Sequence, residues 1–228
     1  MQAVSPSDDL KARVLVSVQR VPAPTRDRAR RATLLILLGA AAIATSLYQT
    51  LGGADHGSGR PQEFFLESIS VWVVAALVSV WVAVGKGRAP MGRPRPWLIA
   101  VAAGMPLFIF LTTLALGGAT AAGNQALATV DPRPGAKCFA MTIAAAAVPL
   151  FALLFVRRRS DAVHSMAHGA ALGAAFGTFA GVWVCSWCPD ASPRHIALGH
   201  VVPLVALSLA GAVFGRRLLA SRAGSAEP

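Results

Sequence analysis

The sequence predicts an all-α integral membrane protein: a bundle of six transmembrane helices behind a short cytoplasmic amino-terminal helix, with both chain ends on the cytoplasmic side. Three observations carry this reading. Of 228 residues, 55% are hydrophobic and 14% charged, where a soluble domain carries about 25% charged residues. The apolar residues fall in blocks near the roughly 20 residues that cross a bilayer. The bases are also unevenly divided between alternate loops, as the positive-inside rule requires.

The chain divides into a cytoplasmic segment over residues 1–31, a transmembrane domain over 32–214 and a cytoplasmic tail over 215–228. Six spans qualify: Ala32–Leu51, Leu66–Val84, Trp97–Leu116, Cys138–Val156, Met166–Val184 and Ile196–Phe214. Some thirty polar residues precede the first, ending in Arg26, Arg28, Arg30 and Arg31. That is too long a start for a secretory signal, so an uncleaved anchor is expected. Pro106, Pro149 and Pro203 lie inside spans, where neighbouring helices can satisfy the freed carbonyls, so kinks rather than breaks are expected. Trp72, Trp81, Trp97, Trp183 and Trp187 lie within or at the ends of spans, and those nearest the ends suit interfacial anchoring. With the amino end inside, 17 of the 21 Lys and Arg are cytoplasmic and only Arg60, Arg133, Lys137 and Arg194 lie outside, while the ten acids split evenly. The net charge of +11 is thereby assigned to topology in an inner (cytoplasmic) bacterial membrane rather than to nucleic acid.

Several function classes are disfavoured. No Asp, Glu, Lys or Arg lies well inside a span, with Glu67 only at an edge, whereas ion-coupled transporters need intramembrane ionisable groups. There is no phosphate-binding glycine loop, His-Glu-x-x-His or nucleophile elbow, so no catalytic residue and no enzyme are expected. Two alternatives stay in view: a quinone-linked membrane thiol oxidoreductase, for which three cysteines cannot make two pairs, and a small metal transporter.

Ahead of the first span, Ser7 or Asp8 can cap a helix on which Leu10, Val14, Val18 and Val21 share a face, with Arg13 and Arg20 to one side. Pro22 and Pro24 end it. Such a helix lies on the inner leaflet or folds into a groove of a cytoplasmic partner. In the fifth span Gly169, Gly173, Gly177 and Gly181 repeat every four residues, a GxxxG ladder that lets backbones approach closely. Packing within the bundle is the leading reading, with homodimerisation or a sliding surface behind it. His164 and His168 share a face near the inner surface, where polar capping or packing is expected.

The chemistry-bearing residues gather on the outer side. Cys138 opens the fourth span, Cys185 and Cys188 close the fifth, and His195 and His200 begin the sixth. In a bacterium that side is oxidising and permits disulfides. Cys138 can bridge to Cys188, or Cys185 to Cys188. Alternatively Cys185-x-x-Cys188 with His195 or His200 and Cys138 supplies soft ligands for zinc, cadmium or a similar ion.

These features together resemble the NrsF-like membrane-bound anti-sigma factors of bacteria. The matching residues are Asp8-Asp9-Leu10, the run Val21-Pro22-Ala23-Pro24 with Arg28, Cys138, His168-Gly169-Ala170-Ala171-Leu172-Gly173, Cys188-Pro189-Asp190 with His200, and Gly215-Arg216-Arg217-Leu218-Leu219. The resemblance implies six spans and a cytoplasmic amino terminus that sequesters an extracytoplasmic-function (ECF) sigma factor, keeping it from RNA polymerase. Asp8, Asp9, Leu10, Val14, Val18 and Val21 would then be the sigma-binding residues. It also maps the family's two cysteines onto Cys138 and Cys188, as sensors of oxidative or heavy-metal stress, and makes Cys185 an additional thiol. No resident cofactor is implied.

Overall fold

The computed structural model describes residues 26–50, 62–85, 93–120, 135–158, 164–188 and 193–219. The expected amino-terminal helix and the residues assigned to sigma binding, Asp8 to Val21, lie outside them. Among the described residues the chain is helical, with no strand: α1 (Arg26–Thr50), α2 (Gln62–Val84), α3 (Arg95–Thr120), α4 (Ala136–Val156), α5 (Ser165–Trp187), a short α6 (Pro193–Ile196), a π-helical turn (Ala197–Val201) and α7 (Val202–Leu218). Each helix outruns its expected apolar block at one or both ends. The polar residues that flank a span keep helical backbone, because hydrogen bonding to i−4 does not depend on hydropathy.

Among the described residues, five segments are long and apolar enough to cross a membrane: Leu66–Val84, Arg95–Ala115, Ala136–Val156, Ser165–Ser186 and Arg194–Leu218. The described apolar stretch of α1 is shorter, Arg31–Ser46. The apolar side chains point two ways. Leu35, Leu38, Leu77, Leu107, Leu111, Phe155 and Leu209 stand exposed on the bundle surface, while Leu98, Leu150, Leu153, Leu154, Leu172 and Phe176 form its core. An apolar exterior around an equally apolar core is the pattern expected where the solvent is hydrocarbon. The exposed Trp81 and Trp97 lie near helix ends, as interfacial rings do.

α5 is the axis of the bundle. It packs against α7, α2, α3, α4 and α1, and 72% of its apolar window is buried, against 22% for α3. The glycine ladder explains how it can be so surrounded. A Cβ on Gly169 would fall on the Gly211 carbonyl and one on Gly173 on the Leu207 carbonyl, while one on Gly215 would meet the Ser165 oxygen at 2.7 Å. The α5 and α7 backbones therefore touch directly, glycine against glycine. Gly181 serves a different neighbour: its missing side chain makes room for the Trp72 indole of α2. The ladder's face is thus filled from within the chain.

Pro106 and Pro149 sit inside continuous helices. Pro203 has a visible consequence. It cannot donate to the Gly199 carbonyl four residues earlier, and its ring crowds that carbonyl. Just before it the helix widens to a π turn, in which the Val202 N–H reaches the Ala197 oxygen. Widening by one residue is a common way to relieve such a conflict.

Candidate functional site

The start of α4, the end of α5 and the α6–π segment meet at one end of the bundle. Gly135, with φ of 82°, precedes α4 in a left-handed conformation that favours glycine. Its position leaves no space for a side chain, since a Cβ would lie 2.7 Å from the Gly199 nitrogen and 2.9 Å from the His195 oxygen. Gly199 answers it: a Cβ there would meet the Gly135 Cα at 2.9 Å and the Cys138 Cβ at 3.2 Å. This glycine contact brings Cys138, in the first turn of α4, beside the π turn that carries His200.

Cys188 arrives from the other side. It caps α5 in an extended conformation, its N–H bonded to the Val184 oxygen, and it packs with Cys138, Met141 and Val184 in a small apolar cluster. Cys138 Sγ donates to Cys188 Sγ at 3.6 Å, although the two residues are fifty apart in sequence. His195 Nε2 lies 2.9 Å from the same Cys188 sulfur. The His195 and His200 rings are 5.6 Å apart between centroids, and Trp72 closes over His200 at 5.9 Å. One donor atom from each of Cys138, Cys188, His195 and His200 lies within 4.8 Å of every other, and all four residues are buried. The Thr142 hydroxyl donates to the Cys138 oxygen at 2.9 Å, holding the first turn of α4 closed.

The electrostatics follow from this packing. The hydrogen bond from Cys138 holds the Cys188 thiol well below its ordinary value; burial pushes the other way, and hydrogen bonds from His195 and His200 and the charge of His200 add to the lowering. Cys188 is therefore an acidic thiol. The cluster also contains a cost. His200 Nδ1 is buried with no hydrogen-bond partner, and a buried polar atom left unsatisfied costs about 1–3 kcal/mol. Two sulfurs and two imidazoles, without oxygen donors, are the donor set that suits a borderline or soft tetrahedral cation.

Of the residues singled out in the sequence, Cys138, Cys188, His195 and His200 come together. Cys185 does not join them; it packs with Trp72, Ile109 and Leu204 in a neighbouring apolar cluster. The Cys185-x-x-Cys188 spacing puts the second cysteine past the helix end, so the chain turns between the two sulfurs. Gly135, Gly199 and Trp72 were not singled out as site residues. A glycine directly before a helix, and another beside a histidine four residues ahead of proline, were the only signals of them.

At the opposite end of the bundle the polar groups are basic. Arg157 caps α4 and reaches both the His168 Nε2, at 3.4 Å, and the Val84 oxygen at the end of α2, at 3.5 Å. Burial pushes its guanidinium below the usual arginine value. Arg93 donates to the Trp81 oxygen at 3.2 Å and lies over the Trp81 ring at 4.1 Å. His164 occupies the cap position of α5 without a side-chain capping bond.

Comparison with known proteins gives a family match. The family model NrsF, negative regulator of sigma F, covers residues 16–220. No curated protein and no solved structure matches the chain. The family match spans every described helix, including the thiol–imidazole end: the chain belongs to the NrsF family, the negative regulators of sigma F.

Proposed function

We propose that this protein is an inner-membrane anti-sigma factor that holds an ECF sigma factor at the cytoplasmic face and releases it when chemistry occurs at Cys138 and Cys188 on the far side. The observation that carries the sensor is the convergence of two thiols and two imidazoles from three segments at one buried point. Family membership supports the sigma-factor partner. The six-span arrangement, with both ends inside, is favoured by the five long apolar helices, by the apolar stretch of α1 and by the distribution of bases. The thiols then face the oxidising compartment, and residues 1–31 face the sigma factor, with Leu10, Val14, Val18 and Val21 as the binding face and Asp8 and Asp9 at its start. The role requires binding and release, not catalysis.

Two inputs are compatible with the site. A hydroperoxide can oxidise the pair to a disulfide, taking up the two thiol protons and two electrons as its O–O bond breaks to give an alcohol and water. A thiophilic cation such as cadmium can instead bind the sulfurs. Either event changes how α4, α5 and α7 are joined at that end, and the close α5–α7 contact offers a rigid route along the bundle. A tenfold loss of sigma affinity needs only about 1.4 kcal/mol, less than the typical 2–4 kcal/mol of a disulfide.

The test replaces Cys138 and Cys188 with Ser and follows sigma-dependent transcription under cadmium, dichromate and hydroperoxide. Induction should disappear; an unchanged response would remove the sensor role. Deletion of residues 1–22 should abolish recovery of the sigma factor in a pull-down, and continued recovery would overturn the tether. Reporter fusions that put Cys138 on the same side as Met1 would overturn the topology.

A further inference from the structure

The sensor reading leaves open what the four buried donors hold at rest. We infer that Cys138, Cys188, His195 and His200 form a resident Zn(II) site, tetrahedral and closed, from which Cys185 is excluded. This deepens the sensor reading and rests on it for its biological meaning, but the metal chemistry stands on geometry alone.

Four observations carry the inference. First is spacing. Two thiolate sulfurs each about 2.3 Å from a tetrahedral zinc stand about 3.8 Å apart, and Cys138 and Cys188 already stand at 3.6 Å. No pair of the four donor atoms exceeds 4.8 Å, so closure asks for side-chain adjustments rather than helix movement. Second is charge. Two thiolates and two neutral imidazoles around a divalent ion sum to zero, which suits a buried site at the edge of a bilayer, where an uncompensated charge is costly. Third is the orphan. His200 Nδ1, buried and without a hydrogen-bond partner, is a lone pair or N–H that the protein alone does not satisfy. Fourth is construction. Gly135 and Gly199 allow α4 and the π turn to approach to within what any side chain would forbid, and that contact serves to set Cys138 beside His200. A π turn inserted in a helix is itself a frequent mark of a functional site.

The donor types decide which ion. With no oxygen ligand the site rejects magnesium and calcium, and Cys₂His₂ with every position filled is the arrangement of a structural zinc centre, not a hydrolytic one. Such a centre ties α4, α5 and the α6–π segment together at rest. It also gives one site two ways of answering: a softer ion exchanges for zinc at the sulfurs, or a hydroperoxide takes two electrons from the thiolates and two protons from water, leaving as alcohol and water, while the two sulfurs join in a disulfide and the zinc loses two of its four ligands.

The experiment uses the full chain, purified in detergent without chelator. Elemental analysis should find about one zinc per chain, as a single four-ligand site takes. Cobalt substitution should give the intense visible bands of a tetrahedral ion, with thiolate-to-cobalt charge transfer. Cys185→Ser should keep both signals. Cys188→Ser should lose them, and His200→Ala should weaken zinc binding on the order of tenfold or more, no less than an outer-shell partner does. Gly199→Ala, which removes no ligand, should weaken it as well by crowding Cys138. Helical circular dichroism and the wild-type cobalt spectrum keep the test valid should a variant misfold. Wild-type protein that neither retains zinc nor takes up cobalt would overturn the site. So would undiminished binding in the His195→Ala, His200→Ala double variant, or loss of binding in Cys185→Ser. Were zinc absent while Cys138→Ser still abolished the transcriptional response, the metal site would fall and the sensor would stand; zinc bound but the response unchanged would give the reverse.

Discussion

The two ends of the bundle use polar residues in opposite ways. At the thiol end, Cys138, Cys188, His195 and His200 leave three separate segments and turn toward one another, buried and within 4.8 Å. At the basic end, Arg93 and Arg157 each turn to a backbone carbonyl of α2, of Trp81 and Val84. The first pattern is that of a candidate site, because the side chains converge on one another and still leave His200 Nδ1 over. The second is helix-end chemistry, in which positive groups meet the carbonyls and negative dipole at a helix carboxyl terminus. Convergence, rather than polarity as such, is what separates the candidate site from the basic end.

The hardest test of the connection between the ends is Gly173→Ala. Its Cβ would sit on the Leu207 carbonyl, backbone that cannot step aside, so a loss at or above the roughly 1–3 kcal/mol of ordinary overpacking is expected. Thermal unfolding in detergent and protease resistance would read it. A melting temperature equal to wild type would mean that α5 and α7 are not in this contact.

Next comes His195→Ala, which acts at the thiol end alone. In metal-stripped protein, the thiolate ultraviolet absorbance of Cys188 should titrate below the ordinary thiol range in the wild type and move upward in the variant. The sign carries through to stability. With a folded value below the unfolded one, the Cys188 contribution is fully present above the unfolded thiol value and is lost as pH falls through the folded one. The variant should show a smaller gain in stability across that window. An unmoved titration curve would detach His195 from Cys188.

Arg157→Gln should cost about 1 kcal/mol, the ordinary scale of a hydrogen bond of modest geometry, and leave the Cys188 titration untouched. A shift in that titration would show that the two ends are coupled more strongly than their separate packing implies. The smallest effect is expected from Gly39→Ala and Gly104→Ala, where a Cβ meets nothing within 4 Å. Each should stabilise by about 0.5–1 kcal/mol through reduced freedom of the unfolded chain. Destabilisation at either would indicate that a further surface packs there.

Much of the fold was legible because membrane helices are written in runs. The apolar blocks beginning at Leu66, Trp97, Cys138, Met166 and Ile196 are nearly coextensive with the five long apolar segments, and the four-residue glycine period marks α5 as a helix closely approached by others. Two things were not legible. The period does not say which neighbour fills each gap, and Gly169 and Gly173 meet α7 whereas Gly181 meets the Trp72 indole. Nor does the Cys-x-x-Cys spacing reveal that Cys185 points into an apolar cluster while Cys188 points at Cys138.

Composition, block length and the placement of bases are local properties of the chain, and they alone determined that this protein is helical and built for an apolar surround. The pairing of Cys138 with Cys188 across fifty residues, the exclusion of Cys185 and the recruitment of His200 through a widened turn ahead of Pro203 were decided by tertiary packing. Those depend on which backbones can approach closest, and at the thiol end that distance is set by Gly135, just before α4, meeting Gly199 of the π turn.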